Sequence, residues 1–99
     1  MEAVITKNEG TVEIKIMGRL DTVTSAELKE QIDGEDISGL DIELDFTEVE
    51  YISSAGLRLL VALQKQANST ENKMVVKNIN NVVKEIFKVA GFDKALTVI

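Results

Sequence analysis

The sequence contains no cysteine, no histidine, no proline and no tryptophan. Without cysteine there is no disulfide, no thiolate nucleophile and no thiolate metal site; without histidine there is no imidazole ligand or imidazole general base. Ser-His-Asp and Cys-His catalysis are therefore excluded. The G-x-S-x-G motif is missing as well, and no lysine is placed by spacing to act as base for a serine, so the chain does not read as an enzyme. It has neither an acidic calcium loop nor a Gly-rich phosphate loop, and no metal or other cofactor is expected. The longest uninterrupted apolar run, Leu59–Leu63, is too short to span a bilayer, and residues 1–10 lack the basic start and apolar run of a secretory signal. A cytoplasmic location, away from membranes, is expected.

Positive charge is also in short supply. Eleven Lys and Arg stand against 17 Asp and Glu, for a net charge of −6. That balance opposes direct DNA or RNA binding, which depends on basic side chains displacing counterions. What the chain does have is a globular composition, 44% hydrophobic and 28% charged over 99 residues. One domain spanning residues 1–99 follows, with no linker, repeat or low-complexity tract to divide it.

The elements read as a series of short units. Ala3–Thr6 pairs as a hairpin, across Asn8-Glu9-Gly10, with a strand in which Val12, Ile14 and Ile16 alternate with Glu13, Lys15 and Met17. Thr22 or Thr24 caps a helix carrying Ala26, Leu28 and Ile32, and Gly34 ends it. Ile42, Leu44 and Phe46 form a strand that stops near Phe46, followed by a loop over residues 47–52. Ser53 or Ser54 then caps the helix that runs to Lys65, whose apolar residues cover more than one face and mark it as the most buried helix. Met74–Lys77 is a strand, Asn80 or Asn81 caps a third helix ended by Gly91, and Leu96–Ile99 forms a terminal strand. The alternation predicts an α/β domain: a central, mixed but mostly parallel sheet of four or five strands, opened by the hairpin and packed with three or four helices.

Charge is unevenly placed. Residues 30–57 hold nine acids and no base, whereas residues 58–99 hold seven bases and three acids. The acidic stretch runs into Ser53-Ser54, and it reads either as a solvated face or as a surface tuned to a partner of opposite sign. At the turn itself, a serine is accounted for by capping alone, worth about 1 kcal/mol. The same position also tolerates a phosphate, because free amides and the positive end of the helix dipole favour an anion there.

The run Val49-Glu50-Tyr51-Ile52-Ser53-Ser54-Ala55-Gly56-Leu57-Arg58-Leu59-Leu60 resembles the signature of the STAS family, the sulfate-transporter and anti-sigma factor antagonist domains. Two further stretches are similar in the right order: Gly18-Arg19-Leu20-Asp21 with Thr24, Ala26, Glu27 and Leu28, and Val83 to Phe92. The resemblance implies a bacterial anti-sigma factor antagonist, a STAS domain that works as a phosphorylation switch without catalysis. Its unphosphorylated form binds an anti-sigma factor that is also a serine kinase, freeing the sigma factor. The kinase then phosphorylates the domain, and a PP2C-type serine phosphatase restores it. Aligned on Gly56-Leu57, the modified serine falls on Ser54 and the family's loop aspartate on Asp21. Many members carry Asp just before the modified serine, where this chain has Ser53, so Ser53 is the alternative site. Arg58 stands where many members have Gly, four residues beyond Ser54, the spacing at which helical side chains meet. The resemblance thus implies a partner-binding corner made of Asp21, Thr22, Thr24, Ser53, Ser54, Gly56, Leu57 and Arg58, where a phosphate among Asp21, Glu48 and Glu50 repels the partner. The alternative is a STAS-like protein-binding module of a lipid-transport or signalling complex, in which Ser54 is only part of a helix start.

Overall fold

The computed structural model describes residues 1–99. Seven elements follow in chain order: β1 (Glu2–Asn8), β2 (Thr11–Leu20), α1 (Thr22–Asp33), β3 (Asp41–Ile52), α2 (Ser54–Ser69), β4 (Met74–Lys77) and α3 (Asn81–Val89). The strands lie in the order β1-β2-β3-β4; β1 and β2 are antiparallel, and β2, β3 and β4 are mutually parallel. The expected α/β architecture is present, with four strands and three helices.

Alternation in the strands decides which face is covered. Val12, Ile14, Ile16, Ile42, Leu44, Phe46, Met74 and Val76 are all buried. They point to the side on which α1 packs on β2, α2 on β3 and β4, and α3 on β3. Their neighbours in sequence, among them Glu13, Lys15, Glu43, Asp45 and Lys77, face the open side and are half-buried. There Lys77 meets Glu13 at 3.1 Å and Glu43 at 3.5 Å. This one-sided arrangement suits a sheet with a polar face in water. On the covered side Phe87 of α3 meets Phe46 edge-to-face, with centroids 6.5 Å apart, in the geometry aromatic quadrupoles favour.

The structure corrects three expectations. β3 does not stop near Phe46 but continues to Ile52, because two irregularities hide its period. Lys15 pairs with Asp45 but Met17 with Glu48, and Gly18 pairs with Val49 but Arg19 with Tyr51, so β3 takes in an extra residue at each place. The first places Thr47 and Glu48 both in solvent, which reads as a loop. Asp45 steadies it, its carboxylate accepting from the Thr47 amide at 3.0 Å and the Thr47 hydroxyl at 2.6 Å. Second, neither Thr22 nor Thr24 caps α1; Asp21 does. Third, Leu96–Ile99 forms no strand, only a single parallel bridge between Val76 and Val98, held by hydrogen bonds of 2.8 and 3.0 Å around Val76.

Asn80 caps α3, its side chain accepting from the Val83 amide at 2.8 Å and donating to the Val49 carbonyl at 2.9 Å. The far end closes as expected at Gly91, whose φ of +77° lets the Phe92 amide reach the Phe87 carbonyl and its own amide reach Lys88.

Candidate functional site

The site is built by two strand ends that lie side by side. Leu20, the last residue of β2, pairs with Ile52, the last residue of β3, and each is followed by one capping residue and a helix. Asp21 and Ser53 therefore sit next to each other at the carboxyl edge of the parallel strands, the edge at which open α/β sheets place their binding sites. A hydrogen bond of 2.7 Å from the Ser53 amide to the Leu20 carbonyl fastens the two starts together.

Asp21 is held by a complete capping box. Its carboxylate accepts from the amides of Val23 (3.0 Å) and Thr24 (2.9 Å), while the Thr24 hydroxyl accepts from the Asp21 amide at 2.8 Å and donates to the Arg19 carbonyl at 2.6 Å. The Thr24 amide, the Thr24 hydroxyl, the Val23 amide and the Arg19 charge together hold the Asp21 carboxyl below the ordinary carboxylate range. Thr22 is the first helical residue and is exposed.

Ser53 and Ser54 have different duties. Ser53 is the N-cap of α2, half-buried, with its hydroxyl accepting from the Gly56 amide at 3.3 Å. Ser54 is the first helical residue; it is exposed, and its hydroxyl makes no hydrogen bond. The amides of Ser54 and Ala55 belong to the first turn, which has no intrahelical acceptors for them.

Gly56 and Leu57 are buried and so act by position. A Cβ on Gly56 would lie 2.6 Å from Cγ1 of Ile52 and 3.2 Å from Cβ of Leu20. Only glycine lets α2 start this close to the ends of β2 and β3. Leu57 anchors the first turn in the core at 3% exposure. Arg58, one turn beyond Ser54, is exposed and has no ion-pair partner.

Of the acids expected around Ser54, Asp21 is engaged in its cap and Glu48 is paired with Lys15 at 3.3 Å. Glu50 is exposed. Sequence reasoning missed two features. Ser54 borders a largely apolar groove of about 350 Å³ between α2 and α3, with Tyr51, Leu57, Ile86 and Val89 and with Glu85 as its acid. Arg19 lies 4.5 Å from the centre of the Tyr51 ring, a cation–π contact that ties the ends of β2 and β3. The only sequence signal for that contact was the register of the two strands, which the extra residues in β3 concealed. No three acidic side chains come together in a way that would hold a metal ion. No helix is long and apolar enough to cross a membrane.

A family model described as "Mlab, STAS domain" matches residues 3–99. Among curated proteins, the chain is similar to the putative anti-sigma factor antagonist BtrV of Bordetella bronchiseptica, with 26% identity over 93% of this chain and 80% of that protein. It is also similar to the anti-sigma-B factor antagonist of Staphylococcus aureus, with 29% identity over 80% of this chain and 74% of that one. Its fold matches the solved structure of the anti-sigma factor antagonist SpoIIAA in its unphosphorylated form, with a TM-score of 0.82 at 16% identity over 99% of this chain and 88% of the other. With the family model running from the third residue to the last, over every element that builds the paired helix starts, the chain belongs to the STAS domain family.

Proposed function

We propose that the chain is an anti-sigma factor antagonist that works by partner switching. Unmodified, it docks the corner formed by the starts of α1 and α2 on a serine-kinase anti-sigma factor, which then releases its sigma factor. The kinase transfers the γ-phosphoryl group of ATP to the Ser54 hydroxyl, whose proton leaves to a kinase base, and ADP departs. A PP2C-type phosphatase hydrolyses the phosphoester and restores binding. The chain supplies no catalytic group to either step.

The observation that carries this reading is the contrast between the two serines. Ser53 is committed to its cap, whereas Ser54 presents a free hydroxyl to solvent at a position where an added phosphate meets unpaired amides instead of packed atoms. The modification therefore needs no refolding. Its effect falls on the partner: a charge of about −1.5 to −2 must be desolvated beside Glu85 when the corner docks. Each 1.4 kcal/mol of that cost is about tenfold in affinity. The apolar groove next to Ser54, with Val89 78% exposed on its rim, offers such a partner a place for an aliphatic or aromatic side chain.

The test is incubation with the cognate serine-kinase anti-sigma factor and ATP, followed by peptide mapping. One phosphate on Ser54, lost in Ser54→Ala, with binding weakened in Ser54→Asp, supports the proposal. A phosphate on Ser53 instead, retained in Ser54→Ala, would overturn the site. The description of the matching family model names Mlab and no anti-sigma factor. That favours a second reading, a STAS protein-binding module of a larger assembly without a phosphorylation switch, for which no kinase would modify Ser54.

A further inference from the structure

We infer that Arg58 receives the phosphoryl group of modified Ser54, clamping it along the first turn of α2. This rests on the reading of Ser54 as the phosphorylation site and says how that site is regulated once modified.

The chain has two arginines. Arg19 is committed to the Tyr51 ring at 4.5 Å. Arg58 is exposed and pairs with nothing: Lys7, Lys15, Lys29 and Lys77 take up the chain's ion pairs. α2 carries Arg58 and Lys65 but no acid, so Arg58 has no carboxylate on its own helix to compete for it. Its side chain borders the shallow groove between α1 and α2 alongside Ala55 and Ala62. It also borders a second shallow groove with Val61, Lys65 and Phe92, and neither groove gives it an acidic partner.

Ser54 and Arg58 are four residues apart on one exposed ridge, and long helical side chains lean toward the N-terminus, which brings the guanidinium over the preceding turn. An anion on the N-terminal side of a cation at this spacing is also the better of the two orientations. A guanidinium matches phosphate oxygens with two parallel N–H donors, which an ammonium cannot do. The other charged groups around the pair leave the assignment intact. On the α1 side, Lys29 is held by Asp33 at 2.7 Å and Asp21 by its capping box. Glu85 of α3, which lines the same groove as Ser54, repels the phosphate and so pushes it toward Arg58. The clamp makes the phosphorylated state a defined surface instead of a mobile charge.

The experiment uses the full chain with phosphoserine incorporated genetically at position 54, so that no kinase is needed, and follows the phosphate by 31P NMR as pH is varied. Arg58 should hold the second phosphate pKa down, and Arg58→Ala should raise it by about 0.15 to 0.4 unit, as expected for an exposed pair at this spacing. Arg58→Lys should keep part of the effect, and Lys65→Ala, about three turns from Ser54, should keep all of it. The difference between wild type and Arg58→Ala should shrink at high salt. Equal pKa values in wild type and Arg58→Ala, or an equal change in Lys65→Ala, would overturn the clamp. Should the kinase leave Ser54 unmodified, the switch reading fails while this titration still decides the clamp.

Discussion

Gly56→Ala sets two known effects against each other, and the structure says which wins. Replacing Gly with Ala in a helix ordinarily stabilises by about 0.5 to 1 kcal/mol, since Ala has less backbone freedom to lose. At this position, however, the new Cβ would sit 2.6 Å from Cγ1 of Ile52 and 3.2 Å from both Cδ1 of Ile52 and Cβ of Leu20. Ile52 and Leu20 are fully buried and paired at the ends of their strands, so neither can move aside alone. Overpacking of this kind costs roughly 1 to 3 kcal/mol. The net expectation is a loss of about 1 to 2 kcal/mol, and a domain of this size should melt about 4 to 8 °C lower for each kcal/mol. Thermal and urea unfolding followed by circular dichroism measure it. Ile52→Ala removes the obstructing atom, so Gly56→Ala should cost less in that background, and the cycle between the two should show positive coupling. An alanine variant at least as stable as wild type would refute the argument that close approach at the strand ends requires glycine.

Ser53 and Ser54 should separate stability from modification: Ser53→Ala should cost about 1 kcal/mol through loss of the α2 cap, whereas Ser54→Ala should melt within about 0.5 kcal/mol of wild type and only abolish phosphorylation. Asp21→Ala should cost about 1 kcal/mol in urea unfolding, since it removes the acceptor for the Val23 and Thr24 amides; Asp21→Asn, which still caps, should recover most of it. The carboxyls of Asp21, Asp36, Asp41 and Asp45 are all held below their ordinary range, chiefly by hydrogen bonds from Thr24, Ser38, Lys73 and Thr47 respectively. A depressed folded pKa gives stability that is present above the unfolded value, near 3.9, and is lost as pH falls through the folded one, so an acid titration should show urea midpoints dropping below about pH 4. Lys77 is shifted upward by hydrogen bonding to Glu13, so its contribution is full below about pH 10.4 and should fade as pH rises through its raised value. A flat profile through the acid limb would contradict the hydrogen bonds assigned to the four aspartates.

The covered face of the sheet was legible because burial imposes a period of two, and Val12, Ile14, Ile16, Ile42, Leu44 and Phe46 keep it without interruption. The second half of β3 was not, because bulges break that period. The strand continues there by side-chain support from Asp45 and by the Asn78 side chain, which donates to the same carboxylate at 3.2 Å. The Asn78 contact joins residues 33 apart and leaves no local mark. Asp21 was visible as a loop aspartate but not as the cap, since Thr22, Thr24 and Asp21 are all good capping residues and the choice depends on where the helix begins. At the second helix the same capping ambiguity lay between Ser53 and Ser54. The close approach of α2 to Ile52 and Leu20 at Gly56 fixes the first turn, with Ser53 as the cap and Ser54 as the first helical residue.

The distribution of charge carries the same lesson one level up. Residues 30–57 hold nine acids and no base, which in sequence suggests a solvated face or a surface awaiting a basic partner. Folding answers most of that charge within the chain. Glu35 finds Lys7, Glu48 finds Lys15, Asp33 finds Lys29 and Glu43 finds Lys77. Asp36, Asp41 and Asp45 accept hydrogen bonds from Ser38, from Lys73 and Asn72, and from Thr47 and Asn78. Each exposed ion pair stabilises by only about 0 to 1 kcal/mol, but together they assign a structural partner to acids that looked available. Glu50, close to the paired helix starts in sequence, gains none, and neither does Arg58 on the first turns of α2. Of the nine acids only Glu30 and Glu50 find neither an ion pair nor a side-chain hydrogen bond within the fold, and Glu50 is the one that stands three residues before the Ser53-Ser54 turn.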